Sequence, residues 1–205
     1  MKNFKSILTA IIIAFVFTSC SDNEKPVIKP VASQTIENLA APASGHGGKY
    51  TGAFAKFSFK EGKVVTGDNW DIAFRATEII VNGGEKGKVL EDIDRTGQAS
   101  LAIVNGTFAS VKEVPTNASF KQDTTTALAI PTGSNNGWYS YAGPPTHAIN
   151  PIAGKVIVVK TIEGNYVKME ILSYYKDKDA SNPANGRHYT FNYVYNPNVG
   201  DKSFQ

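Results

Sequence analysis

The stretch GKVIVVKTIEGNYVKMEILSYY, residues 154–175, contains two runs rich in valine, isoleucine and tyrosine on either side of the turn sequence EGN. β-Branched and aromatic residues favour extended backbone, and a short glycine-containing segment between two such runs is typical of a hairpin. Met169 alternates with Lys168 and Glu170 and shares its face of the second run with Val167 and Ile171. The stretch therefore predicts an antiparallel β-hairpin with Met169 in the core.

Similar runs occur on both sides of this hairpin. They are YTGAFAKFSF (residues 50–59), WDIAFRATEIIV (residues 70–81, followed by NGG) and RHYTFNYVY (residues 187–195). Residues 85–131 are less regular and are predicted to hold short strands, loops and one short helix. With nine tyrosines and eleven phenylalanines in 205 residues, the sequence predicts a mostly β fold. We expect a single antiparallel all-β domain with long loops and at most a short helix.

The amino terminus has the pattern of a targeting signal. Lys2 and Lys5 precede the apolar run ILTAIIIAFVF, which is short for a membrane span and ends at FTSC with Cys20, the chain's single cysteine. The pattern resembles a bacterial lipobox; an ordinary secretory peptide is the alternative. We predict a signal peptide at residues 1–19, an acylated Cys20 beginning a flexible tether at residues 20–48, and a β domain at residues 49–205.

Charge and motifs exclude several functions. Removal of residues 1–19 takes away two lysines and leaves 19 basic against 18 acidic residues, without the basic clustering typical of nucleic-acid binding. The sequence has no G-x-S-x-G, no H-E-x-x-H, no P-loop and no dinucleotide fingerprint. Its histidines, at positions 46, 147 and 188, lack the spacing of zinc ligands. We therefore predict that the protein is not an enzyme and does not bind nucleic acid.

His147 is the histidine with the most suggestive surroundings. It lies in GPPTHAINP, where prolines on both sides stiffen the chain, a few residues after Trp138, Tyr139 and Tyr141. A histidine on a stiff loop beside aromatic residues is a candidate axial ligand for haem iron; a loop histidine bonded to backbone is the alternative. His188 alternates with buried-type aromatic residues and is predicted to face solvent, and His46 lies in the flexible sequence GHGG.

Four segments together resemble the HmuY family of haem-binding lipoproteins of Bacteroidota. They are NWDIAFRATEIIVNGG, GWYSY with THAINP, the hairpin sequence GKVIVVKTIEGNYVKMEILSYY, and YTFNYVY, and they extend in order over residues 49–195. The acidic run SDNE after Cys20 also resembles the signal that exports such lipoproteins to the cell surface. The resemblance implies an all-β domain that holds haem between loops at the outer membrane. It also implies hand-over of the haem to a TonB-dependent receptor.

The resemblance implies His147 as one axial ligand, because family members often carry a histidine in the THAINP segment. The expected upstream histidine is missing, since none lies between His46 and His147. Tyr139 or Tyr141 could coordinate the iron; the alternative is that they pack at a strand edge or stack on the ligand. The candidate partners of the haem propionates are Arg75, Lys155 and Lys160. The alternatives are a domain that has lost haem and binds another apolar ligand, and an accessory or structural surface subunit.

Overall fold

The computed structural model describes residues 27–205. The predicted signal peptide, the predicted acylation site Cys20 and the acidic run that follows it lie outside the described residues. The strands are β1 (Ala32–Ala40), β2 (Ser44–His46), β3 (Lys49–Thr51), β4 (Ala55–Ser58), β5 (Lys63–Val64), β6 (Ile72–Arg75), β7 (Glu78–Val81), β8 (Ser100–Asn105), β9 (Tyr139–Tyr141), β10 (Ile149–Pro151), β11 (Lys155–Lys160), β12 (Tyr166–Tyr175) and β13 (Gly186–Asn196). Two short 3₁₀ helices cover Lys176–Lys178 and Pro183–Asn185. The fold is therefore nearly all β.

Two antiparallel sheets build the domain. The larger has the order β1-β13-β12-β11-β8 and the smaller the order β5-β4-β6-β7, while β2–β3 and β9–β10 form separate two-stranded ribbons. The predicted hairpin is confirmed as β11 and β12, which pair antiparallel with Ile157 opposite Met169. Met169 is fully buried, as its position in the alternation predicts.

Aromatic side chains join the two sheets. Phe191 of β13 contacts Phe57 of β4 edge to face, with ring centroids 5.4 Å apart, and stacks on Phe74 of β6 at 5.7 Å. The other face of the large sheet is covered by Val111, Val114 and Phe204. Because both faces of the central strands are buried, the apolar residues of these strands form near-continuous runs.

The amino-terminal boundary predicted from composition is wrong. Residues 32–40, which we assigned to the flexible tether, form the edge strand β1, paired with β13 from Ala32 opposite Tyr195 to Ala40 opposite His188. Leu39 and Ala41 are buried in the main core. The sequence ASQTIENLA has few apolar residues because most of β1 faces solvent. Its composition therefore resembles that of a linker.

Two further expectations need correction. WDIAFRATEIIV is a hairpin of β6 and β7 with a turn at Ala76 and Thr77, rather than one extended strand. The short helix expected within residues 85–131 is absent from that segment, which instead contributes β8. Buried polar contacts organise this segment: Asp123 accepts hydrogen bonds from the backbone N–H groups of Val81 (3.0 Å) and Ala129 (2.8 Å) and pairs with the buried Arg95 (2.9 Å).

Within residues 27–205, no helix is long and apolar enough to cross a membrane.

Candidate functional site

A folded loop between β9 and β10 carries His147. Tyr141 lies opposite Ile149 at the end of the ribbon, and Ala142 N–H donates to the carbonyl oxygen of Ala148 (2.9 Å). His147 N–H donates to the carbonyl oxygen of Gly143 (2.8 Å), and His147 has a left-handed backbone conformation with φ of 52°. These bonds give the loop a defined shape that presents the exposed imidazole of His147.

The Tyr141 hydroxyl is hydrogen-bonded to Nδ1 of His147, and the two ring planes are tilted by 30°. No group in the described part of the chain is hydrogen-bonded to Nε2 of His147, which leaves this nitrogen available to a ligand. Histidines that bind metals commonly use the second ring nitrogen for such a bond, which orients the ring. While this bond is intact, Tyr141 and His147 lie side by side and cannot occupy opposite faces of one haem. In this arrangement the Tyr141 hydroxyl fixes the orientation of the His147 ring.

Tyr139 packs in the protein interior. It is 8% exposed, and its ring centroid lies 4.9 Å from that of Trp138. The indole N–H of Trp138 donates to the carbonyl oxygen of Thr77 (3.1 Å), which connects β9 to the turn between β6 and β7. Packing is the alternative that the sequence left open for Tyr139, and it is what the structure shows.

A pocket of about 310 Å³ lies beside the His147 loop. We call it the tyrosine pocket; its lining residues are Thr146, Tyr174, Tyr175, Ala180, Pro183, Ala184, Gly186 and Arg187. The hydroxyl of Tyr175 accepts a hydrogen bond from the backbone N–H of Ile149 (2.8 Å), so β12 and the loop-bearing ribbon are held together. Burial raises the pKa of the Tyr174 phenol well above its ordinary value, so Tyr174 stays neutral.

Among the described residues, Arg187 is the single charged one that lines this pocket, and sequence reasoning missed it. Its guanidinium donates hydrogen bonds to the carbonyl oxygens of Ala43 and Gly45, the latter at 2.8 Å. It also lies 5.9 Å from the ring centroid of Tyr50. No local pattern indicates it, because Arg187 lies at the start of a strand and its partners are more than 140 positions away in the sequence.

The other predicted cations lie elsewhere. Arg75 is fully buried, pairs with Glu78 at 2.8 Å and donates to the carbonyl oxygens of Gly52 (3.1 Å) and Leu90 (2.7 Å). The prediction that Arg75 pairs with a haem propionate is corrected here, because the Arg75 guanidinium has no accessible surface. Lys155 donates to the side-chain oxygen of Asn105 (2.9 Å) away from the tyrosine pocket, and Lys160 is an exposed residue at the end of β11.

The remaining histidines differ from each other in role. His188 is half-buried, and its Nδ1 lies 2.9 Å and 3.1 Å from the carbonyl oxygens of Gly186 and Asn185, which identifies Nδ1 as a donor to the backbone. His46 is exposed on β2, in an ordered ribbon with β3 rather than a flexible joint. It follows Gly45, whose carbonyl oxygen accepts from Arg187 of the tyrosine pocket. Gly45, next to His46, thus contacts a lining residue of this pocket, and Thr146, next to His147, lines it.

The tyrosine pocket and its rim have the features of a site for a flat, acidic aromatic ligand. Tyrosine rings line the cavity, one arginine can meet a carboxylate, and an exposed imidazole nitrogen lies next to the lining residue Thr146. Among the described residues, no group of three or more His, Cys, Asp or Glu side chains could hold a bare metal ion. The residues present fit an iron porphyrin, which brings its own four nitrogen ligands and needs only axial ligands from the protein.

Comparison with known proteins identifies the family of this chain. The sequence model of the HmuY protein family matches residues 51–193, and the chain therefore belongs to the HmuY family. No curated protein matches the chain.

Three solved structures from Bacteroidota are similar to the chain. The apo HmuY analog of Tannerella forsythia is 15% identical over 83% of this chain and 99% of its own, with a TM-score of 0.47. A Bacteroides fragilis protein described as a lipoprotein is 12% identical over 82% and 90%, with a TM-score of 0.49. A Bacteroides vulgatus protein described as HmuY-like and haem-binding is 13% identical over 82% and 93%, with a TM-score of 0.47.

Proposed function

We propose that this protein is a surface lipoprotein, anchored in the outer membrane through acylated Cys20, that binds haem in the tyrosine pocket. It passes the haem to a TonB-dependent outer-membrane receptor and catalyses no reaction itself. The observation that carries the proposal is the exposed His147, oriented by Tyr141 and placed beside an aromatic pocket that contains Arg187. Membership of the HmuY family supports the choice of haem as the ligand.

Each residue has a separate task in this proposal. His147 offers Nε2 to the iron while Tyr141 fixes the orientation of the ring through Nδ1. Arg187 pairs with a propionate, because a guanidinium binds a carboxylate through two parallel hydrogen bonds. When bound, haem supplies an iron with two axial positions that take nitrogen ligands.

His46 is our candidate for the second axial ligand. The sequence disfavoured it because GHGG looks mobile, yet the β2–β3 ribbon pairs His46 with Lys49. The neighbouring Gly45 is tied to Arg187 by a hydrogen bond of 2.8 Å. This contact joins the ribbon that carries His46 to Arg187, a lining residue of the tyrosine pocket, and supports His46 as the candidate.

A haemin titration followed by visible spectroscopy tests the proposal. We expect a saturable Soret shift for the native protein, and a lost or altered coordination spectrum for His147→Ala. Tyr141→Phe should keep the coordination class but bind about tenfold more weakly, because it removes the partner that orients the ligand. His46→Ala should convert a six-coordinate spectrum into a five-coordinate one.

His188→Ala is the matched control, because the His188 ring is held by backbone carbonyl groups and should leave the spectrum unchanged. If His147→Ala binds haem with an unchanged spectrum, haem remains the ligand but His147 is not the residue that coordinates the iron. A native protein without a saturable shift would contradict haem binding. It would favour the alternative of a domain that binds another apolar ligand or acts as an accessory surface subunit.

A further inference from the structure

The backbone of β8 is paired on one side along its length and on the other side at only one position. Toward the sheet, β8 pairs with β11 from Ser100 to Asn105. On the opposite side, Leu101 exchanges two hydrogen bonds with Lys121, of 2.9 Å and 2.8 Å. That second ladder stops after this one pair.

Neighbouring residues of an antiparallel strand direct their backbone hydrogen-bonding groups to opposite sides. This alternation identifies which backbone groups of β8 have no partner strand. A strand residue directs its N–H and C=O to the same side, and its neighbours direct theirs to the other side. Leu101 bonds away from β11, whereas Gly106, just after β8, donates to Gly154 on the β11 side (3.0 Å). Ile103 and Asn105 therefore direct their N–H and C=O groups away from β11. In the described part of the chain, no hydrogen bond on that side uses them.

These open groups face a groove of about 580 Å³. Besides β8, its lining includes Pro115, Asn117, Ala118 and Ser119, which do not pair with β8. Pro115 and Ala118 close a turn in which Ala118 N–H donates to the Pro115 carbonyl oxygen (2.9 Å). The gap lies where the next strand of the sheet would be. It shares no lining residue with the tyrosine pocket.

The groove carries positive charge. Lys121 and Lys155 are in its lining, and none of the lining residues within 27–205 carries a carboxylate. Lys155 contacts the neutral side chain of Asn105 (2.9 Å), and Lys121 forms no ion pair within residues 27–205. An acidic ligand would therefore be favoured there, and a basic one disfavoured.

We propose that this groove binds an extended, acidic segment of a partner protein, which adds a strand to the large sheet at β8. Only another extended backbone offers donors and acceptors at the two-residue spacing of Ile103 and Asn105. Acidic side chains on that segment pair with Lys121 and Lys155. This interaction surface does not depend on haem binding.

Two synthetic peptides, acetylated and amidated, test the proposal: EVTVEVT as the acidic probe and KVTVKVT as its basic counterpart. Amide hydrogen exchange of the purified protein is followed by NMR. In the free protein, the Ile103 and Asn105 amides should exchange about a hundredfold faster than those of Ala102 and Val104. The acidic peptide should slow exchange at Ile103 and Asn105 and bind about tenfold more tightly than the basic one at low salt.

One backbone variant and one matched pair of lysine variants sharpen the test. Ile103→Pro removes an N–H that faces the groove but none that bonds to β11, so it should abolish peptide binding in a folded protein. Lys121→Glu should remove the preference for the acidic peptide, whereas Lys160→Glu, at an exposed lysine outside the groove lining, should not. Slow exchange at Ile103 in the free protein would overturn the proposal. So would unchanged exchange with both peptides at millimolar concentration, or equal affinity for the two.

Discussion

At the scale of single residues, charge is most consequential where it is buried. The Arg75 and Glu78 side chains are 0% and 3% exposed and lie 2.8 Å apart. Removal of one partner leaves the other charged and desolvated. We therefore expect Arg75→Met, which keeps much of the side-chain volume, to lower the free energy of unfolding by about 3–5 kcal/mol in urea titrations.

The pair of Lys60 and Glu163 is the control, because its side chains are 61% and 34% exposed at a separation of 3.3 Å. Lys60→Met should cost less than about 1 kcal/mol, since water and salt screen an exposed pair. Equal losses in the two variants would show that burial does not set the cost of breaking the Arg75 pair.

At the scale of elements, β1 is the segment whose role differs most from its composition. It pairs with β13, buries Leu39, and joins Gln34 to the hydroxyl of Tyr193 (2.7 Å). Loss of these contacts exposes one edge and part of the core of the large sheet. We expect a chain that begins at residue 41 to melt about 10 °C below one that begins at residue 27, as measured by circular dichroism.

The chain beginning at residue 27 is the reference for this comparison, because it keeps the whole of β1. Equal melting temperatures would mean that β1 adds nothing to stability and that residues 27–40 are dispensable for the folded unit.

At the scale of the whole molecule, Asp71 connects the two sheets. Its carboxylate accepts hydrogen bonds from the backbone N–H groups of Phe59 (2.9 Å), after β4, and Ile162 (3.0 Å), between β11 and β12. Burial raises the pKa of Asp71 from 3.8 to about 6. The native state therefore holds the proton more tightly than the unfolded state, and this site's stabilisation is complete below pH 3.8 and is lost as the pH rises through 6.

We expect the native protein to gain about 1 kcal/mol from Asp71 between pH 7 and pH 5. Asp71→Asn should lose this pH dependence and should also be less stable throughout, because the amide has only one acceptor oxygen for the two N–H donors. Parallel urea titrations at the two pH values measure the difference. If Asp71→Asn keeps the pH dependence of the native protein, Asp71 is not the source of that dependence.

Local sequence was sufficient for the elements with strong periodicity. The β11–β12 hairpin, the aromatic face of β13 and the burial of Met169 all follow from alternation between neighbouring residues, because the period of a strand is visible within a few positions. His147 could be singled out for the same reason, because the prolines and aromatic residues around it are close in sequence.

Tertiary structure decided what depends on distant partners. Composition could not show that β1 joins the large sheet by pairing with β13. Nor could it show that the Arg75 guanidinium is bonded to Glu78 and to backbone carbonyl groups, or that Arg187 lines the pocket beside His147. By itself, the sequence determined an all-β fold and a candidate ligand on a loop. The side chains that share the site with that ligand were set by pairing and packing across more than a hundred residues, which no local pattern encodes.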